Sequence, residues 1–264
     1  MPLISTGAKK SKNIPDLELA IAQRFSGASA SYDQAATVQK TAALWLWTHL
    51  FPTKITGKIL EVGCGTGILS EKIVAHYPKN EIVLSDLSET MMKKCRAQVA
   101  PHETLNFKAL NGQDIQTEEE YAAIFTSFTL QWVLDLSLSL KSILKALKPK
   151  GVLVAAVQGA GSYPEWKAAC ERLNLPFLGN PLPRLQKIEE ILKGEQIELH
   201  CEKITSHYPK AIDFFKDLKR LGASTSTSNS ALAYKDFKAL LAELDNKQET
   251  TMTTEVIYFK LTKS

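Results

Sequence analysis

At 264 residues with 44% apolar side chains, the chain is long enough to bury a full core, which excludes general disorder and points to one large domain or a domain with a lid. Lys and Arg total 32 against 28 Asp and Glu, and the net charge of +4 is too small to imply a nucleic-acid partner by itself. Cys64, Cys95, Cys170 and Cys201 form no Cys-x-x-Cys pair, so no zinc site or disulfide framework is suggested and a reducing, cytoplasmic setting fits; no apolar run approaches the ~18 residues of a membrane span.

The opening residues, MPLISTGAKKSKNIPD, hold lysines with no apolar segment behind them and read as the start of a flexible tail over 1–20, not as a secretion signal. Next, the stretch 21–50 has Leu44, Trp47 and Leu50 at helical spacing, and FPTKITG breaks the pattern. From there strands at 58–62, 81–86, 105–110, 121–128 and 151–157 alternate with helices at 68–77, 88–99 and 137–147. Repeated β-α units predict an α/β fold, a mostly parallel sheet with helices on both faces. Ser88 and Ser137 are the expected helix caps. KPKG ends the later helix, because Pro149 cannot continue it and Gly151 tolerates a tight turn. Beyond Val157 the alternation stops: 158–190 reads as loop and helix, 196–208 as a strand, 210–223 as a helix, STSTSNS at 224–230 as a low-complexity stretch, and 253–262 as a last strand. One domain over 21–264 is expected, with a cofactor core at about 55–157 and substrate or lid elements at 24–50 and 158–230.

The stretch ILEVGCGTGILS at 59–70 packs Gly63, Gly65 and Gly67 behind an apolar run. A dinucleotide fingerprint needs Gly-x-Gly-x-x-Gly, and here the third glycine comes one residue early, which argues against NAD. In an open parallel sheet a nucleoside cofactor sits outside the carboxyl ends of the strands. Glycines on either side of Cys64 let the backbone approach such a ligand closely, and Glu61 can meet an ammonium or order a water. Asp86, followed by Leu87, ends the next strand, where a carboxylate can accept from both ribose hydroxyls. Asp114 can accept from an adenine amino group while Ile115 packs on the ring, and FTSFTLQW, with Ser127, forms the fourth strand end.

This set resembles the class I S-adenosylmethionine-dependent methyltransferases over 55–157. The resemblance implies a Rossmann-like fold, S-adenosylmethionine as cofactor, S-adenosylhomocysteine as product, and a cofactor site made of Glu61, Gly63, Cys64, Gly65, Gly67, Asp86, Leu87, Asp114, Ile115 and Ser127. Base-amino methylators carry a Pro-Pro-aromatic turn where this chain reads TSFTLQW, so DNA and RNA amino groups are disfavoured. Metal-assisted transfer needs clustered ligands, and the histidines at 49, 76, 102, 200 and 207 lack ligand spacing, so no metal is expected.

More specific segments, RFSGASASYDQAATVQ, FTLQW, GAGSYPEWKAA and FFKDLKRLGA, resemble the malonyl-acyl-carrier-protein O-methyltransferases of biotin synthesis, from about Arg24 to Lys260. The resemblance implies methyl transfer to the free carboxylate of a malonyl thioester, a lid or helical insertion, Tyr32 over the cofactor, Gln131 and Trp132 positioning the malonyl group, and Arg184 near its carboxylate. It also implies docking of an acidic carrier protein, with malonyl-CoA as an alternative thioester substrate, against Lys216, Lys219 and Arg220 beside an inward stripe of Phe214, Phe215, Leu218 and Leu221. Lys150 stands where the family usually has glycine, in a turn that tolerates it, and PLPRLQK matches the family's arginine segment only loosely. Two other readings of the same residues stand beside this one: a methyltransferase of another small carboxylate or small molecule, and a non-catalytic partner-binding protein on the same fold.

Overall fold

The apolar runs at 59–62, 82–86 and 121–127 become strands because both of their faces are buried. In the computed structural model, which describes residues 14–223, 232–245 and 249–264, β1 (Ile59–Val62), β2 (Ile82–Asp86), β3 (Leu105–Ala109), β4 (Tyr121–Ser127) and β5 (Leu147–Gln158) run parallel. β7 (Thr250–Thr262) enters antiparallel between β5 and β6 (Gln196–Tyr208), giving a seven-stranded order β3-β2-β1-β4-β5-β7-β6. The order reverses between β1 and β4, which opens a crevice beyond their carboxyl ends.

Alternate residues of each strand face opposite layers. Ile59, Ile82, Leu84, Phe125 and Val154 pack under α3 (Thr37–His49), α4 (Ser70–His76) and α5 (Glu89–Gln98). Leu60, Val62, Val83, Ile124 and Leu153 pack under α6 (Leu136–Ala146) and α8 (Leu185–Ile191). A third core joins α7 (Pro164–Arg172), α9 (Ala211–Arg220) and α10 (Tyr234–Leu244) to Met252 of β7. There Trp166 meets Phe177 and Phe215 edge-on at 4.8 and 5.0 Å, contacts worth about 0.5–1.5 kcal/mol each beyond their buried area.

Several expectations change in the fold. Residues 14–20 are helical, the start of α1 (Ile14–Ala28), so the expected tail over 1–20 ends earlier; residues 1–13 and the stretch 224–230 lie outside the described residues. Leu44 and Trp47 are 47% and 42% exposed, and α3 buries Ala42, Ala43 and Leu46 instead, because small side chains let it lie flat on the sheet. It therefore covers the sheet. Ser88 caps α5, accepting from Met91 N at 3.2 Å, but α6 is capped by Asp135, which accepts from Leu138 N at 3.0 Å, and not by Ser137. Asp135 wins because its own backbone is held extended by Gln113, whose Oε1 accepts from Asp135 N at 2.9 Å. α6 ends at Ala146, and the residue that turns the chain is Lys150, at φ 62°, a left-handed conformation that is strained for a side chain with a Cβ, while Gly151 keeps an ordinary φ. α10, with Leu240 and Leu244 buried, extends the third core past the lid boundary expected at 230.

Among the described residues no helix is long and apolar enough to cross a membrane, and no group of three potential metal ligands comes together.

Candidate active site

The crevice is floored by the glycine loop after β1. Gly63 N and Cys64 N both donate to Ser85 O at 2.8 Å, which folds the loop back against β2. Gly65, at φ 53°, presents open space where a Cβ would stand, so a ligand can lie against its backbone. Gly63 serves a different need: a Cβ there would sit 2.0 Å from Thr129 Oγ1, so its absence lets the β4 strand end close over the loop. Gly67 faces Cys95 below the loop, away from the crevice.

Asp86 ends β2 at the crevice. Its Oδ2 accepts from Gly65 N at 2.9 Å and its Oδ1 from Ser88 N at 2.7 Å, which fixes the carboxylate with lone pairs left for a diol. Burial pushes its pKa up, and the backbone N–H groups pull it back down in part. Glu61 is 1% exposed beneath the loop, accepts from Ser70 Oγ at 2.5 Å, and is held well above the usual carboxylate range by burial. It lines a small pocket with Tyr32, Gln39, Cys64, Gly65 and Ser127, into which Gln39 presents a buried Oε1 that has no hydrogen-bond partner. Two acceptors facing one small polar pocket suit an ammonium, and the Asp86 end of the crevice suits a ribose, so the residues present fit S-adenosylmethionine.

Not every expected residue reaches this crevice. Leu87, Ser127, Gly63 and Gly65 line it with Asp86, but Asp114 is exposed and its Oδ2 is taken by Gln116 Nε2. Ile115 is 2% exposed and packs in the second core with Leu60 and Leu140. Asn111, Gly112 and Gln113 line the crevice in their place. The chain turns at Asn111, whose Oδ1 accepts from Gln113 N at 2.9 Å, and the turn carries Asp114 past the mouth.

The roof is α1 and α2 (Tyr32–Ala35). Ile21, Ala22 and Phe25 of α1 line the crevice, and Ser26 Oγ hydrogen-bonds Ser88 Oγ at 2.7 Å. α2 is tied to the loop by Thr66 Oγ1, which donates to Asp33 Oδ1 at 2.6 Å. Tyr32 faces both the crevice and the Glu61 pocket; burial, with Asp86 and Asp33 nearby, keeps its phenol protonated far above the usual range. It can donate a hydrogen bond but cannot act as a base at neutral pH.

Phe128, at φ 54°, swings the chain after β4 into a single 3-10 turn, Leu130–Trp132. Trp132 stacks edge-on against Phe25 at 5.2 Å and lines the crevice on one side. On its other side lies a cavity of about 1010 Å³ enclosed by the third core. Gln131, Arg184, Lys167 and Lys219 line it, and no acidic residue does among the described residues. Gln131 Oε1 and Gln158 Nε2 are buried there without hydrogen-bond partners. Lys167 donates to Ala160 O at 2.6 Å, and burial lowers its pKa. Lys216 and Arg220 lie outside this cavity, each paired along α9, with Asp213 and Asp217, at 2.8 Å.

Residues 60–153 match a family described as a methyltransferase domain. Malonyl-acyl-carrier-protein O-methyltransferase 1 of Ilyobacter polytropus is 28% identical over 91% of this chain and 93% of its own. The malonyl-acyl-carrier-protein O-methyltransferase of Bacillus cytotoxicus is 31% identical over 79% of this chain and 77% of its own. The chain belongs to that family. It is an S-adenosylmethionine-dependent methyltransferase on a Rossmann-like fold. Phosphoethanolamine N-methyltransferase 2 of Haemonchus contortus, solved with phosphomonomethylethanolamine and S-adenosylhomocysteine, shares the fold at a TM-score of 0.58 and 17% identity, over 96% of this chain and 61% of that one.

Sequence reasoning missed several residues of this methyltransferase's two cavities. Phe25 and Ala22 were hidden in a stretch with no strong apolar stripe, and nothing in the spacing of α3 singled out Gln39. Lys167 stands one turn beyond Tyr163, which sits at φ 59° immediately before Pro164. A left-handed aromatic before proline is a signal only once φ is known.

Proposed function

We propose that this methyltransferase esterifies the free carboxylate of a malonyl group carried as a thioester on acyl-carrier protein, giving the methyl ester that primes pimeloyl synthesis for biotin. The observation that carries the reading is the pairing of two cavities across Trp132, one fitted to the cofactor and one lined by Arg184, Lys167 and Lys219 with no acid among its described residues. The names of the relatives support a malonyl-acyl-carrier substrate, and the charge of the second cavity agrees with it. Malonyl-CoA is a second methyl acceptor on this reading, and a cytoplasmic setting with reduced cysteines suits it.

The bound cofactor supplies a methyl group on a sulfonium, and the residues of the chain do the rest. A malonyl carboxylate, with a pKa of about 4 by analogy with side-chain acids, is ionised at pH 7 and needs no base. This fits a site whose phenol, Tyr32, stays protonated. Gln131 and Trp132 hold the acyl group at the junction, and Tyr32 and Phe25 shut the junction from water. Alignment of carboxylate, methyl and sulfonium can contribute on the order of 7 kcal/mol, and removal of water from an anion that meets a cation adds to it. Arg184 orients the carboxylate best at a distance, since a bidentate pair would hold the nucleophile too tightly. Lys216, Lys219 and Arg220 on α9 face the acidic carrier.

The test is mass spectrometry of malonyl-acyl-carrier protein after incubation with the enzyme and S-adenosylmethionine. The expected result is a gain of one methyl mass that malonamyl-carrier, which lacks the free carboxylate, does not show. A methyl on both, or on neither, removes the proposal.

A further inference from the structure

A second basic feature lies outside both cavities, where the end of α1 meets the end of α9. Arg24, Ser31, Lys216, Lys219 and Arg220 enclose a recess of about 460 Å³. The recess is shaped by close backbone approach: Gly222, at φ 72°, has no Cβ to strike Arg24 O and Ala28, and Ser31 Oγ donates to Arg220 O at 3.2 Å. Four cations and no acid line it among the described residues. Lys216 and Arg220 are already neutralised by Asp213 and Asp217, whereas Arg24 and Lys219 take part in no ion pair among the described residues. Two unneutralised cations facing one recess attract an anion of concentrated charge.

Lys219 also lines the large cavity, so the recess and that cavity adjoin at its side chain. Beside its cations, that cavity has apolar lining from Phe215, Leu218, Phe237 and Leu240, and Gln131 and Trp132 line it where it meets the cofactor crevice. A ligand that fits this lining carries an anion at one end, a neutral chain of modest polarity in the middle, and its reacting group at the other end. Malonyl alone fills little of a cavity of about 1010 Å³.

We infer that the recess between α1 and α9 binds the phosphate of the 4′-phosphopantetheine arm through Arg24 and Lys219, so that the thioester at the arm's end reaches Trp132. This rests on the thioester substrate proposed above. It also divides the work on α9: Lys219 reads the arm, and Lys216 and Arg220 remain on the outer face for the carrier itself.

The experiment compares malonyl-4′-phosphopantetheine with malonyl-pantetheine, two substrates that differ by the phosphate and include no carrier protein. In the unmodified enzyme KM should be about tenfold lower for the phosphorylated substrate, the low end for two charge-assisted contacts at a partly exposed site. In the Arg24→Ala/Lys219→Ala variant that gap should close to about twofold or less. No gap in the unmodified enzyme, or a gap that survives in the variant, overturns the inference and leaves the methylation reading standing. If neither thioester is methylated, the methylation reading is judged on malonyl-acyl-carrier protein as above, and the recess by the Kd of 4′-phosphopantetheine alone. A rise of about tenfold in the double variant keeps it, and an equal Kd removes it.

Discussion

Glu61 lies under the glycine loop with the Ser70 hydroxyl as its hydrogen-bond donor, and burial lifts its folded-state pKa above the unfolded value. Such a group stabilises the free protein most below the ordinary carboxylate range, and that stability is lost as pH rises toward the raised pKa. A ligand ammonium beside Glu61 favours the ionised form and offsets the loss. We therefore expect the gain in Tm caused by S-adenosylhomocysteine to be larger at about pH 8 than at about pH 5.5. Glu61→Gln should flatten that pH dependence and weaken binding on the order of tenfold, which titration calorimetry at both pH values checks; an unaltered profile would separate Glu61 from the ligand. The sequence made Glu61 and Asp86 legible because both stand in the last two positions of a strand of the parallel sheet, where a side chain has one face to point to. Asp114 follows a strand by several residues, and its direction depended on the turn at Asn111, which the spacing of residue types does not encode.

Elements were legible where they were strongly periodic and illegible where their packing partner is a ligand or a distant loop. β6 and β7 were read almost to their ends because β-branched and aromatic residues run through both, and 13 paired positions fix their register. α1 was read only in part, with lid elements expected from residue 24: it packs Phe25 against Trp132 and not against the sheet, so its face is partly completed by what it covers. Its amides should accordingly exchange more slowly when S-adenosylhomocysteine is bound, while those of α6, packed on the sheet, should not change. Hydrogen exchange read by mass spectrometry distinguishes the two, and equal protection of both helices would mean that α1 does not close on the cofactor. α10 was missed for another reason. Its Leu240 and Leu244 belong to a core of their own with α7 and α9, and no β-α alternation announces it.

The whole molecule is one sheet serving two cavities, and the cavities rest on different cores. The cofactor crevice stands on the sheet and its covering helices, whereas the large cavity is walled by the third core, with Trp132 between them. Leu240, fully buried in that third core, should cost about 2–5 kcal/mol when cut to alanine. The same substitution should leave the Kd for S-adenosylhomocysteine within about twofold, since the two sites stand well apart in their supporting contacts. Thermal unfolding and titration calorimetry on Leu240→Ala check this, and a large loss of cofactor affinity would show the two cores to be one. The sequence by itself determined the parallel sheet, the glycine loop and the carboxylate at the end of β2, because burial on two faces and the reach of one strand end are local constraints. Only the tertiary structure decided that Thr129 occupies the space Gly63 leaves, that α3 covers the sheet and α1 the crevice, and that Arg24 and Lys219, 195 positions apart, share one recess. Those pairings depend on how helix faces and loop turns add up across the chain, which no single stretch of residues fixes.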